Sequence, residues 1–426
     1  MTLHVAVIGS GIVGAATALT LVRDGCRVTL IEPGEPGGPQ AASYGNGGWI
    51  SPASIVPMSM PGLWRKVPGY LLDPGGPLTI RWSHLPRLAP WLLRFLRAGS
   101  SVAKVERTAR ALRSLLVDAP ARHAALAAEI GRPELIRRQG LLYPYADRAA
   151  FAADALAWRL RWDNGVRWLE LGPDELAQLE PALARHYTFG ALVQEGAHCV
   201  DPGGYVAAIA ATALAQGAER LHAAATGFAI EGGRLRAVQT NEGPVACDRA
   251  VVAAGIRAKD LARQAGDRIP LESERGYHVM LSPPDPAPRT PIMPGDTKMA
   301  NTVMAQGLRA AGQVELASLD APPNWRRAEI LLGHIVSAYP GLAAQGRPPE
   351  EPQRWMGNRP STPDGLPVIG TASGCADIVY AFGHGHVGLA CGPVTARAAS
   401  DLVQGLAPPV PLSPFSPKRF RRGRAA

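Results

Sequence analysis

The residues best suited to chemistry gather in short glycine-rich runs far apart in the chain. The first is Gly9-Ser10-Gly11-Ile12-Val13-Gly14, with Glu32 following 18 residues after its last glycine. In this spacing Gly9 permits a tight turn, Gly11 lets backbone N–H groups approach a pyrophosphate, and Gly14 lets a helix pack closely on a strand. The N–H groups of Ile12 and Val13 open that helix and add its partial positive charge to the phosphate site. A carboxylate at Glu32 suits an adenosine ribose and disfavours NADP, whose 2′-phosphate it would repel. The second run, Val251-Val252-Ala253-Ala254-Gly255, is a strand reaching small residues. Ala254 and Gly255 fit where bulk would collide with a bound dinucleotide, although a buried strand ending in a turn glycine has the same pattern. The third is Gly383-His384-Gly385-His386-Val387-Gly388-Leu389. A glycine-rich helix start aims the N–H groups of Gly385 to Leu389, and the helix dipole, at an anion such as the N1–C2 oxygen edge of a reduced flavin. Two stations so far apart match FAD, which is long, better than NAD.

The elements that must position these runs follow from periodicity. Val5–Gly9 reads as a strand, Ala15–Arg23 as a helix and Val28–Glu32 as a second strand, so the first run lies in a βαβ unit. From Pro57 to Glu129, Trp, Leu and Arg recur at helical spacing, as in Trp91-Leu92-Leu93-Arg94-Phe95-Leu96-Arg97. That pattern predicts a helical lid packed on its own domain, with a membrane-surface helix as the alternative. Residues 224–230, Gly232-Gly233 and 235–239 predict a β-meander, and the last helix is expected over Gly388–Gln404. The fold class expected is α/β: a Rossmann-type domain that binds FAD, plus an α+β substrate domain with an antiparallel sheet. The cofactor domain is discontinuous, over 1–56, 195–270 and 350–426, and the substrate domain takes 57–194 and 271–349.

Composition bounds the function. With 426 residues, 46% hydrophobic and 19% charged, the chain is an ordinary globular mix of about two domains. Its net charge of +9 is mostly Arg, concentrated between Arg65 and Arg167 and in the tail Lys418–Arg424. No nucleic-acid module accompanies it, so an anionic substrate or cofactor is the reading preferred over nucleic acid. The five cysteines are scattered with no CxxC pair, which argues against a disulfide framework and against a zinc site; no metal is expected. The N-terminus runs directly into a strand, leaving no room for a cleavable signal, and no apolar run reaches membrane-spanning length. A cytoplasmic location is expected, with peripheral contact at the inner face of the membrane left open.

Over nearly its full length the chain resembles the amino-acid-oxidase superfamily of flavoproteins, and within it the bacterial D-amino acid dehydrogenases. The resemblance rests on Val5–Glu32, Ser43–Pro52, Val251–Gly255, Gly357–Gly370 and Gly383–Leu389. The Asn46-Gly47-Gly48 loop and Arg359-Pro360-Ser361-Thr362-Pro363-Asp364 are its most specific parts. It implies that Ser43, Asn46, Gly47 and Gly48 meet the isoalloxazine through their backbone, a role in which large side chains would block the ring. It places Arg359 where relatives grip the substrate carboxylate; a guanidinium can do this with two parallel hydrogen bonds. A salt bridge to Asp364 is the alternative for Arg359. Tyr277 falls where relatives have a substrate-facing strand, with a core tyrosine as the alternative. His386 is the candidate for proton transfer, against packing at the flavin edge. Covalent relatives place a flavin-linking cysteine near this segment, and 355–358 has none, so FAD is expected to be non-covalent.

The function implied is oxidative deamination of a D-amino acid, with hydride transfer from Cα to flavin and hydrolysis of the imino acid to a 2-oxo acid. A cyclic imino acid (D-proline or hydroxy-D-proline) dehydrogenase and an oxidase of the glycine, sarcosine or opine type stay open beside it. So do an accessory flavin subunit and, less favoured, an NAD enzyme. A quinone or dye-like acceptor is expected in preference to oxygen.

Overall fold

A computed structural model describes residues 2–73, 75–76, 78–344 and 352–421. The β-branched run at the N-terminus forms strand His4–Ile8, near the middle of a six-stranded sheet. Along that sheet the strands are Glu219–Leu221, Arg27–Ile31, His4–Ile8, Arg249–Val252, Ile378–Phe382 and Val368–Thr371. The first five run parallel and the last is antiparallel. Central parallel strands are covered on both faces and need apolar residues at successive positions; Val5, Ala6 and Val7 are all fully buried. Val5, Val7, Val28, Leu30, Val251 and Val379 pack under helices Ile12–Arg23 and Gly388–Gln404. Their neighbours Ala6, Ile8, Ala250, Val252 and Ile378 face the core beneath the meander. That meander comprises strands Ala225–Glu231, Arg234–Thr240 and Gly243–Ala246.

A second sheet runs antiparallel through Ala300–Met304, Gly307–Leu316, Glu272–Leu281 and Gln353–Ser361, with the short strand Leu78–Ile80 added parallel to Gly307–Leu316. Tyr277, Val279, Leu281, Leu308 and Ala310 on one face share a core with Leu331 and Ile335 of helix Arg326–Ala338. The opposite face meets the 43–48 loop of the nucleotide-binding part. The expected α/β architecture with an antiparallel companion sheet is therefore present. One assignment differs: strand Gln353–Ser361 fell in the cofactor domain on the 350 boundary, but it pairs with Glu272–Leu281 in the second sheet. The boundary itself lies outside the described residues. Helix Ala119–Glu129, expected with the substrate domain, packs into the same core as helix Gly388–Gln404.

Helix Leu85–Ala98 buries Leu88 and Trp91 against Ile80 and Leu316. The Trp91 indole donates to the Ser361 carbonyl at 3.2 Å. The Trp–Leu–Arg segment thus packs its apolar stripe inward, leaving Leu93 exposed. Among the described residues no helix is long and apolar enough to cross a membrane. In the basic tail, Arg419 and Arg421 lie against the body of the protein, pairing with Asp364 and Asp267; residues 422–424 lie outside the described set.

Candidate active site

The glycine-rich turn after strand His4–Ile8 has the geometry its spacing demands. Gly9 sits at φ +100°, and a Cβ there would stand 2.6 Å from the Ala253 carbonyl oxygen. A Cβ on Gly14 would reach 1.8 Å from the Gly9 oxygen. Gly11 is different: a Cβ there would meet only Ser43 Oγ, at 3.4 Å. Ser43 Oγ accepts from the Ile12 N–H at 3.1 Å, bringing the 43–48 loop to the helix start next to Val13. Glu32 is buried, and its carboxylate accepts from the N–H groups of Ser10 and Gly34 at 2.7 and 3.2 Å. Ser10 Oγ is buried with no partner among the described residues. This cradle, with Ala254 and Gly255 (φ +54°) at the end of the neighbouring strand, fits the adenosine and pyrophosphate of FAD.

The 43–48 loop is held from the second sheet by three side chains that no motif announces. Arg309 donates through Nη1 to the carbonyls of Asn46 and Tyr44 at 2.7 and 3.2 Å. His278 Nδ1 donates to Gly45 O at 3.2 Å, and Thr302 Oγ1 to Gly47 O at 2.8 Å. Asn46 Oδ1 accepts from the Gly48 N–H at 2.8 Å, closing the turn. Burial, and secondarily Arg309, pushes the His278 pKa down to about 3, so the ring is neutral. Trp355 stacks on His278 and covers Gly45 so closely that a Cβ there would lie 2.0 Å from the indole.

The run Gly383–Leu389 also forms a helix start: Gly383 and Gly385 take positive φ, and helix Gly388–Gln404 begins with no side chain capping its N–H groups. Those first N–H groups around Val387, Gly388 and Leu389 suit the anionic edge of a flavin. Pro393 lies within the helix, and a proline supplies no N–H to the carbonyl four residues before it. That carbonyl belongs to Leu389, and His123 Nε2 donates to it at 3.0 Å. Burial lowers the His123 pKa to about 4, keeping the ring neutral.

Arg359 lies on the face of the second sheet that meets the loop. Its guanidinium rests over Gly276, where a Cβ would come within 2.1 Å of it. Nη1 donates to Gln313 O at 3.0 Å and Nη2 to Gly312 O at 3.4 Å. Gln313 has φ +59° at a bulge opposite Gly276, which turns its carbonyl toward Arg359. These bonds use two of the five donors a guanidinium carries. Among the described residues Arg359 makes no ion pair, and Asp364, its suggested partner, is held instead by Arg419 Nε at 2.8 Å. Burial lowers the Arg359 pKa, and Glu274 opposes that shift.

Glu274 pairs in register with Arg359, and its Oε2 lies 2.5 Å from His386 Nε2. The structure therefore groups Arg359 and His386 around a carboxylate that sequence reasoning missed. Tyr277 it places elsewhere. Residues 274, 276 and 278 share the face of Arg359, and the side chain of 277 points to the opposite one. There the Tyr277 hydroxyl donates to Glu315 Oε2 at 2.5 Å and accepts from the Asn324 N–H at 2.9 Å. The expected substrate-facing tyrosine is thus a core residue in this fold. His384 is likewise buried, bonded to Thr395 Oγ1 at 3.0 Å and lowered to about 4 by burial.

The family model for FAD dependent oxidoreductases matches residues 4–402. The chain is 54% identical to a D-amino-acid oxidase of Bradyrhizobium diazoefficiens, over 98% of this chain and 99% of that one. It is 31% identical to D-amino acid dehydrogenase 2 of Ralstonia nicotianae, over 97% and 99%. Among solved structures, glycine oxidase from Geobacillus kaustophilus aligns with TM-score 0.76 at 21% identity, covering 99% of this chain and all of that one. L-proline dehydrogenase from P. horikoshii aligns with TM-score 0.74 at 19% identity, covering 98% of each. At such identities the structural likeness speaks for the fold alone.

Proposed function

The chain belongs to the FAD dependent oxidoreductase family, and from that premise we propose that it oxidises D-amino acids, with Arg359 holding the substrate carboxylate. The observation that carries the role of Arg359 is its setting: a half-buried guanidinium with no carboxylate at ion-pair distance among the described residues, braced by two carbonyls on the sheet face that meets the 43–48 loop. Glu274 is its neighbouring charge in register, and donors of the guanidinium remain for a carboxylate brought by a ligand. FAD, when bound, supplies the acceptor for the hydride that leaves Cα. The residues proposed to hold it are Gly9, Gly11, Ile12, Val13, Gly14 and Glu32 at the ADP half. Ser43, Asn46, Gly47, Gly48, Ala254 and Gly255 follow, with Gly385 to Leu389 at the flavin edge. In the proposed domain division the second sheet is the substrate domain's floor, and strand Gln353–Ser361 belongs to it.

The acceptor divides two finer readings. A dehydrogenase passing electrons to a quinone or dye-like acceptor is supported by the dehydrogenase names at about 30% identity. Oxygen is supported by the oxidase name at 54%, and the weight of identity falls on that side. Reoxidation of the reduced enzyme by air or by a quinone, measured side by side, separates them.

Arg359→Ala tests the carboxylate role. Truncating a pair of charge-assisted hydrogen bonds costs about 3 kcal/mol, or about a hundredfold in KM, while flavin content stays parental. Arg359→Lys should recover part of that loss, because a point charge lacks the fork. An alanine variant with full FAD and parental KM would make Arg359 structural.

A further inference from the structure

Glu274 and His386 form an ion-pair-competent couple beside Arg359 whose geometry defines where a proton can sit. Glu274 is 5% exposed. Burial works against its charge, yet its pKa stays below the ordinary carboxylate value because His386, and then Arg359, outweigh that effect. A carboxylate oxygen only accepts, so a neutral His386 must carry its proton on Nε2, 2.5 Å from Glu274. Nδ1 is then the ring's single acceptor, and it makes no hydrogen bond to the described residues. The ring is 32% exposed, whereas Glu274 beside it is nearly sealed. A carboxylate bonded to one ring nitrogen fixes the tautomer and leaves the other nitrogen as the acceptor. The remaining charged groups nearby are engaged elsewhere: Glu272 pairs with Lys259 at 2.9 Å and His84 at 3.5 Å, and Arg359 is braced by carbonyls.

We propose that His386, oriented by Glu274, accepts through Nδ1 a proton from the ammonium group of the bound substrate. This deepens, and rests on, the reading that Arg359 holds the substrate carboxylate. In the step an N–H bond of the ammonium breaks and a new H–Nδ1 bond forms. The electron pair stays on the amine nitrogen, and the ring later releases the proton to water. The positive charge moves from substrate to imidazolium, where Glu274 offsets it against the like charge of Arg359. The neutral amine has the lone pair that helps hydride leave Cα. His386 is the proton acceptor in this account and Glu274 its positioning residue.

The test is anaerobic rapid mixing of holoenzyme with D-alanine across pH, for the parent, His386→Asn and Glu274→Gln. The parental bleaching rate should rise with pH and level off. His386→Asn should be slower by about a hundredfold at neutral pH, the lower end of general-base effects, with its rise following the amine's own ionisation. Trifluoro-D-alanine, whose electron-poor amine sheds its proton more readily, should bleach that variant at close to the parental rate. In Glu274→Gln the ring loses the carboxylate that fixes its tautomer, so bleaching should slow and trifluoro-D-alanine should restore it. Nitrogen NMR of the His386 ring should show a changed Nδ1/Nε2 tautomer ratio without turnover. Propionate, which needs Arg359 and no amine, should still bind His386→Asn, and should bind Glu274→Gln no more weakly than the parent, since a neighbouring negative charge is removed. A His386→Asn enzyme with the parental rate and pH profile would overturn the proposal, as would trifluoro-D-alanine being slowed as much as D-alanine. If that variant loses FAD, a Glu274→Gln enzyme with the parental rate and pH profile would overturn it. A parent that no D-amino acid bleaches, though propionate binds, would fail the D-amino acid reading itself.

Discussion

At the scale of single residues, parity along strand Glu272–Leu281 decides which groups can meet a substrate. Tyr277 and Gly276 are neighbours in sequence, yet one packs in the core with Leu331 and the other lies under the Arg359 guanidinium. A shift of one residue in a strand exchanges one face for the other, so a resemblance that marks this strand as substrate-facing does not tell Tyr277 from Glu274. Tyr277→Phe should leave KM for a D-amino acid within about twofold. It removes a hydroxyl that serves Glu315 and the Asn324 N–H, so urea unfolding should show a loss of about 1–3 kcal/mol. A large KM change with unaltered stability would return Tyr277 to the substrate. Gly276→Ala should do the reverse. Its methyl would occupy the space of the guanidinium, so KM should rise by an order of magnitude or more, about 1.4 kcal/mol per factor of ten, with flavin content retained. Gly276 was no candidate in the sequence because its role depends on a side chain 83 positions away at Arg359.

Elements explain what was legible and what was not. The βαβ unit around Gly9–Glu32, the meander hairpin at Gly232-Gly233 and helix Gly388–Gln404 all follow from local periodicity and turn chemistry. The second sheet does not: its register joins segments by long-range pairing, so Arg309, His278 and Thr302 converge on the 43–48 loop without forming any motif. Strand Gln353–Ser361, in a segment expected within the cofactor domain, pairs with the second sheet for the same reason, since an isolated strand does not announce its partner. The last two glycines of the nucleotide turn differ at this scale too. Gly14→Val puts atoms into the Gly9 backbone and should prevent folding, whereas Gly11→Val meets only Ser43 Oγ. The latter should give folded, colourless protein, judged by far-UV circular dichroism and flavin absorbance together; a yellow Gly11→Val protein would contradict the pyrophosphate role. His123 belongs here as well, because it supplies the N–H that Pro393 withholds from Leu389. His123→Leu should lower stability by about 1–3 kcal/mol, the penalty for a buried unpaired carbonyl, read as a fall in Tm.

For the whole molecule, four buried neutral histidines set the acid limit. His123, His198 and His384 are lowered by burial to about 4, and His278 to about 3. Unfolding returns each to its ordinary value near 6.5, so the unfolded chain binds more protons below that pH. Stability from these groups is complete above pH 6.5 and falls as pH drops toward 4, by about 1.4 kcal/mol per pKa unit for each ring. Glu180, raised by burial to about 7, slopes the other way over 4.5 to 7, but one carboxyl does not balance four rings. Urea midpoints should therefore be flat from pH 7 to 8 and fall clearly from 6.5 to 4.5; a midpoint unchanged at pH 5 would contradict the burial of these rings. The two sheets together form one apparatus, the parallel sheet presenting the nucleotide cradle and the antiparallel sheet presenting Arg359 to it. The most direct measurement of that account is anaerobic mixing of the yellow holoenzyme with matched D- and L-amino acids, glycine, sarcosine and D-proline, following flavin absorbance. Bleaching should be fastest with D-amino acids or D-proline and require the free carboxylate, so that the corresponding D-amino acid amides react poorly. Faster bleaching by L-amino acids, or equal bleaching by the amides, would contradict it.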